Sequence, residues 1–199
     1  IVQANNVTLS ATNASTIVAT VAAASVAIGV GGTAGAGVSI GASISRNFIG
    51  YDQDGDAVSG VGVFARSIDS GINATGTLTV QAASRSKIDS LVLAGSAAIA
   101  GGGVGGLAAS GAGVSSSNRI GHQIEATITG DGTGIHANAI DVSGKDESKI
   151  ATDAGAVAVS VGIGGVLGAA ISVGVSLANN SIATQTTAAI KNADPVDAA

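Results

Sequence analysis

Residues 154–178 read AGAVAVSVGIGGVLGAAISVGVSLA. Val157, Val159, Val161 and Ile163 occupy one parity, and Ala158, Ser160, Gly162 and Gly164 the other. After an interruption at Gly165 to Gly168 the alternation resumes with Ile171, Val173, Val175 and Leu177. A period of two belongs to a strand, whose successive side chains leave opposite faces. The rival is a helix: 25 uncharged residues are long enough to span a bilayer, and Gly, Ala and Ser suit close helix packing. Bulky residues recur at every second position, however, and the glycine density opposes a stable helix. The stretch therefore reads as strand, glycine turn, strand: a hairpin with one bulky and one small-residue face. Small side chains let a second sheet approach inside the usual ~10 Å separation, so both faces are expected to be buried.

The same pattern occurs three times. Ser15-Thr-Ile17, Ser86-Lys-Ile88 and Ser148-Lys-Ile150 each precede it, and Asn47-Phe-Ile49, Asn118-Arg-Ile120 and Asn180-Ser-Ile182 each follow. From Ile17 to Asn47, Ile88 to Asn118 and Ile150 to Asn180 the interval is 30 residues each time. Central glycines recur at Gly31-Gly32 with Gly35 and at Gly102-Gly103 with Gly106. Ahead of each Ser-x-Ile lie short alternating segments carrying Val7, Leu9 and Ala11, then Leu78, Val80 and Ala82, then Ile140 and Val142. One structural unit is copied in tandem. The units are residues 2–71, 72–134 and 135–195, and 196–199 open a further copy. The middle lead-in is one residue longer than the others. The fold expected is all-β: an elongated solenoid-like stack in which each copy covers its neighbour's edges.

Composition narrows the function. The chain is 46% hydrophobic but 2% aromatic, with 31 Gly and no Cys, Met or Trp, so its core must use Val, Ile, Leu and Ala. Only 11% of residues are charged and the net charge is −5, which opposes a nucleic-acid surface. Without cysteine there is no disulfide framework or thiolate metal site. A start at Ile1 with no basic-then-apolar leader fits an excerpt of a longer polypeptide.

The pattern V-x-A-x-x-V-x-L-x-A-x-x-x-S-x-I, then alternating Ala/Val/Gly around Gly-Gly, then N-x-I, covers residues 2–198. It resembles the repeats of giant bacterial surface adhesins of the filamentous-haemagglutinin-like and leukotoxin-like filamentous adhesin families. The resemblance implies an elongated β-solenoid that is secreted, extracellular or at the bacterial cell surface. It carries over no catalytic residue.

Candidate sites are few. Asp52, Asp54 and Asp56 flank Gly55 at spacings that suit calcium, the one cofactor the residues point to, although Val63 stands where a full calcium loop has Glu. The alternative is a solvated acidic loop tip. Asn47, Asn118 and Asn180 are expected at the end of each long hairpin, as turn formers or as a stacked amide ladder. Ser15, Ser86 and Ser148 invite the same structural reading. Asp131, between two glycines, reads as a turn. His122 and His136 have no matching carboxylate or Cys nearby in sequence, and no nucleophile–base pairing or G-x-S-x-G turn occurs. The sequons at Asn6, Asn13 and Asn73 are what so Ser/Thr/Asn-rich a chain produces by chance.

These observations describe a non-catalytic structural repeat segment acting as a stacked β rod. Its expected partners are neighbouring repeats or copies of itself, with a cell-surface or matrix ligand as a further one; neither nucleic acid nor membrane insertion is expected. Two alternatives are a calcium-dependent ligand-binding adhesion module using Asp52–Asp56, and a subunit that polymerises head to tail into a fibre. A carbohydrate-active β-helix enzyme would need a groove of aromatics, and the chain has one Tyr and two Phe.

Overall fold

The computed structural model describes residues 2–130, 134–193 and 196–198. All its regular structure is β. The first rung of the stack holds β1 (Val2–Ala4), β2 (Val7–Asn13), β3 (Thr16–Gly31), β4 (Ala34–Ile49) and β5 (Gly62–Ile68). The second holds β6 (Ile72–Ala74), β7 (Thr77–Ser84), β8 (Lys87–Gly102) and β9 (Gly105–Thr129). The third holds β10 (Ile135–Ala137), β11 (Ala139–Asp146), β12 (Lys149–Gly164) and β13 (Leu167–Lys191), and β14 (Val196–Ala198) opens a fourth.

Equivalent strands pair in parallel across rungs. The four sheets run β1-β6-β10-β14, β11-β7-β2, β12-β8-β3 and β13-β9-β4, with β5 added beside β9. The register keeps equivalent residues together: Ile17, Ile88 and Ile150 are neighbours, as are Asn47, Asn118 and Asn180. This is the solenoid-like stack, and its units begin at paired positions Val2, Ile72, Ile135 and Val196.

Each rung has two parts. Its base is enclosed by the short first and second strands and the far end of the fourth, around Leu78, Val80, Ile124, Ile128 and Ile135. These side chains are at most 1% exposed in the central rung and its neighbour, and burying each stabilises by about 1.5–3 kcal/mol. From this base a leaf of two stacked sheets projects, β3-β8-β12 against β4-β9-β13. The glycine turn returns the chain between those two sheets. It does not close a hydrogen-bonded hairpin, because the backbone groups of both strands already pair with neighbouring rungs. The turns themselves hydrogen-bond from rung to rung, as Gly103 N–H to the Gly32 carbonyl (3.2 Å) and Val166 N–H to the Val104 carbonyl (3.0 Å).

The leaf interior is made of the small-residue parity. Near the tip the two sheets come so close that a Cβ on Gly29 would stand 1.7 Å from the Ala36 carbonyl oxygen. Toward the base the inward residues grow, through Ala94, Ala112, Val92 and Val114 to Ile88 and Ile120, so the leaf tapers. The bulky parity is not buried, contrary to expectation. Val30 is 81% exposed, Ile40 75% and Ile163 63%, because each rung adds only two layers to the leaf and no described residue packs outside them.

A second expectation fails at the Asn-x-Ile motifs. In the second and third rungs the strand does not end there but runs on to Thr129 and Lys191. Ile124, Ala126 and Ile128 continue the alternation and close the base core, so these segments are structured walls. Only the first rung departs: Ile49 pairs with Ile120 and Gly62 with Gln123, so residues 50–61 bulge out where the second rung has only 121–122. The extra residue of the middle lead-in lies at Thr75–Gly76, where a Cβ on Gly76 would stand 2.3 Å from Asn6 Oδ1.

Candidate functional site

Among the described residues, the bulge at 50–61 is the longest departure from plain strand on a rung. Gly50, Gly55 and Gly60 take φ of 80°, 91° and 77°, the left-handed region that glycine tolerates. Within it Tyr51 and Ala57 form an antiparallel bridge. Asp52 Oδ1 accepts N–H bonds from Asp54 (3.0 Å), Gly55 (2.9 Å) and Asp56 (2.9 Å). That carboxylate therefore organises the turn. Arg119 anchors the bulge to the second rung, donating from Nη1 to the Gly55 carbonyl at 2.8 Å. Its guanidinium also lies 5.8 Å from the ring centres of both Phe48 and Tyr51. Among the described residues no three His, Asp or Glu side chains gather in a set that would hold a metal ion; Asp52, Asp54 and Asp56 share a turn but do not converge.

Asp52→Asn keeps the accepting oxygen and removes the charge, whereas Asp52→Ala removes both. If capping is this residue's task, Asn should change stability by less than about 0.5 kcal/mol and Ala should cost about 1 kcal/mol, read from urea unfolding. Equal losses for the two would assign the role to the charge.

The aromatics were missed by motif reading. Phe48, Tyr51 and Phe64 are all the aromatics of the chain, and all lie at this bulge with Arg66 3.9 Å over the Phe64 ring. Their confinement to 17 residues of a nearly aromatic-free sequence was the available signal. Beside them a cleft of about 580 Å³ lies between the bulge and the second and third rungs, lined by Tyr51, Val58, Gly121, His122, Thr184 and Gln185 among others.

The three asparagines form a ladder inside the leaf. Asn47 Nδ2 donates to Asn118 Oδ1 at 2.6 Å, and Asn118 Nδ2 donates to Asn180 Oδ1 at 2.9 Å. Ser45, Ser90, Ser116 and Thr152 hydroxyls complete their shells. The Ser-x-Ile serines line the corner between the second and third strands of each rung. Ser15 and Ser148 each bond, through backbone N–H, the side chain two residues before: Asn13 Oδ1 at 3.1 Å and Asp146 Oδ1 at 3.0 Å. Ser86 accepts from Asn13 Nδ2 at 3.0 Å, which ties adjacent rungs. Asp131 lies outside the described residues.

His136 faces Asp197 on the neighbouring strand, Nδ1 to Oδ2 at 3.1 Å. His122 is different: it is 7% exposed, and neither ring nitrogen has a hydrogen-bond partner. Burial holds its imidazole below the ordinary histidine value, against the opposing pull of Asp146. At Asp146 burial disfavours the charge, but hydrogen bonds from Ser148 and Thr184 outweigh it and keep the carboxyl below its usual range. The unfolded chain thus binds a proton at His122 before the folded one does, as pH falls through about 6.5. Stability should decrease between pH 7.5 and 5.5, and the His122→Gln variant should show a flatter profile over that interval in chemical denaturation. An unchanged slope in the variant would clear His122 of the effect.

No protein-family model, no curated protein and no solved structure matches the chain.

Proposed function

We propose that this chain is a structural, non-catalytic segment of a stacked β rod, belonging to an extracellular bacterial adhesin or filament. The observation that carries the reading is the repeated register: Ile135 pairs with Val196 as it pairs with Ile72, so the third rung already holds the first strand of a fourth. Each rung presents a continuous parallel edge that the next one satisfies, which is how solenoids bear load along their axis. The adhesin assignment rests on the repeat's resemblance to surface adhesins.

The test is a tandem fusion in which Val2 of a second copy takes the register place of Val196. A rod should lengthen by about 14 Å per added copy, three rungs at ~4.8 Å each, in electron micrographs of two-, four- and eight-copy proteins. Particles whose length does not grow with copy number would sink the rod.

A ligand-binding adhesion module is favoured by one observation, the gathering of Phe48, Tyr51 and Phe64 with Arg66 and Arg119 around the 50–61 bulge. Tyr51→Ala with Phe64→Ala should abolish adhesion to the target surface while leaving rod length unchanged. Retained adhesion would exclude the bulge as the contact.

A further inference from the structure

Gly121 and His122 are the two residues of β9 that have no strand partner in the first rung. Pairing stops at Ile49–Ile120 and resumes at Gly62–Gln123, and the 50–61 bulge covers the gap. Strand parity turns His122 inward with Ile120 and Ile124, and Arg119 and Gln123 outward. Its register neighbour Thr184 donates to Asp146, so the imidazole faces the corner where Asn13, Ser84 and Asp146 align. Both ring nitrogens are buried there without a partner, a condition that a native fold keeps only for a reason. The cleft beneath the bulge reaches His122 but leaves those nitrogens closed off from water.

We propose that the 50–61 bulge is an acid-released flap, closed over neutral His122 and swung open on Gly50 and Gly60 when that imidazole takes up a proton. The bulge is the lightest wall around the ring. β7 and β9 are held in ladders by the rungs on either side, whereas the bulge bonds mostly to itself. Asp52 N–H reaches the Asp56 carbonyl, Val58 N–H the Gly50 carbonyl, and three further N–H groups the Asp52 carboxylate. Its ties to the second rung are Arg119 to the Gly55 carbonyl, Gln123 N–H to the Val61 carbonyl at 3.2 Å, and Tyr51 lying over Gly121. Gly50 and Gly60 bracket it with positive φ, the kind of end position that absorbs a hinge rotation. Closed, the flap leaves an imidazolium dry and without an acceptor; open, it admits water through the cleft. Asp146 does not rescue the charge, because Ser148 and Thr184 already hold its carboxylate. The other groups around the ring give it no counter-charge. Asn13, Ser84 and Thr184 are neutral, and Asp52 turns into its own loop. Arg119 and Glu125 face outward to Gly55 and Arg66, Lys145 and Arg85 pair with Glu147, and Lys87 and Lys149 share the outward parity beside Ile88 and Ile150. The inference concerns the bulge alone and holds whether or not the chain forms a rod or the bulge is an adhesive contact.

Amide hydrogen exchange of the whole chain at two pH values, divided by the intrinsic rate of each amide, reads the opening. Opening that takes up one proton should raise the opening constant of residues 51–61 and 121–123 about tenfold between pH 7.5 and pH 5.5. At pH 5.5 these amides should exchange roughly tenfold or more faster than those of Leu78 and Val80 in the base, the mark of a local event. Equal rates would mean that the chain opens as a whole, and would overturn the flap. The chain has two histidines, so the proton can be assigned. His122→Gln, with an unaltered circular-dichroism spectrum, should abolish the pH response of the bulge, and His136→Gln should keep it. Gly60→Ala meets no atom within 4 Å and so tests the backbone angle alone. It should speed exchange of the bulge at both pH values and leave their ratio unchanged. A pH response retained in His122→Gln, or a bulge no more open in Gly60→Ala than in the unaltered chain, would overturn the proposal.

Discussion

Gly106→Val should lower stability by about 3 kcal/mol or more, a fall in Tm of roughly 6–12 °C for a chain of this length. A Cβ at this position would stand 2.3 Å from the Ile163 carbonyl oxygen and 2.9 Å from that of Ala100. Both obstacles are backbone, and both belong to the facing sheet. Gly106 also lies in the middle rung, held by β4 on one side and β13 on the other, so neither wall can move alone. The matched control is Gly113→Val in the same strand, where nothing lies within 4 Å of a Cβ. It should change stability by no more than about 0.5 kcal/mol. Thermal melts of both variants decide the matter: similar shifts would show that close approach of the sheets is not what glycine permits here.

Asn118→Ala should cost about 2–4 kcal/mol. The side chain is fully buried at 0% exposure and accepts from Asn47 while donating to Ser116, Thr152 and Asn180. Its loss leaves the buried Asn47 amide with only the Ser45 and Ser90 hydroxyls and takes a partner from Ser116 and Thr152, while the exposed Asn180 keeps Thr152; each buried polar group left short costs about 1–3 kcal/mol. Asn47→Ala, at the end of the ladder, removes fewer bonds and should cost about half as much. The double variant should cost less than the sum, because each change removes the partner of the other. Additive losses in guanidine unfolding would mean that the amides act separately rather than as a ladder.

Much of this architecture could be read from residues alone. The invariant interval between Ser-x-Ile and Asn-x-Ile is the leaf, and its constancy has a physical origin: an inserted residue would flip the parity that places Gly, Ala and Ser inside. The bulge at 50–61 was visible as extra length in the first unit. Hydrogen-bond partnership was not visible, since alternation is the same whether a strand pairs across its own turn or with the next rung. Nor was the exposure of the bulky face, because Val157 and Val161 look equally ready for a core or for solvent. The walls formed by residues 123–129 and 185–191 were obscured by Gln123, Glu125, Gln185 and Thr187, whose polar side chains point outward; Ile124 is fully buried, whereas Ile190, in the edge rung, stays 41% exposed. At the bulge, the Asp spacing drew notice away from the Arg119–Gly55 anchor, a contact between residues 64 positions apart.

The amide ladder also encodes direction. Every step runs the same way, nitrogen of the earlier rung to oxygen of the later one. Such a row has an acceptor terminus at Asn47 and a donor terminus at Asn180, so two stacks laid end to end complete it only when joined tail to head. A reversed joint would bring two amide nitrogens or two carbonyl oxygens together inside the leaf. The asparagines thus act as a one-way key, giving any longer assembly of these rungs a single polarity from end to end.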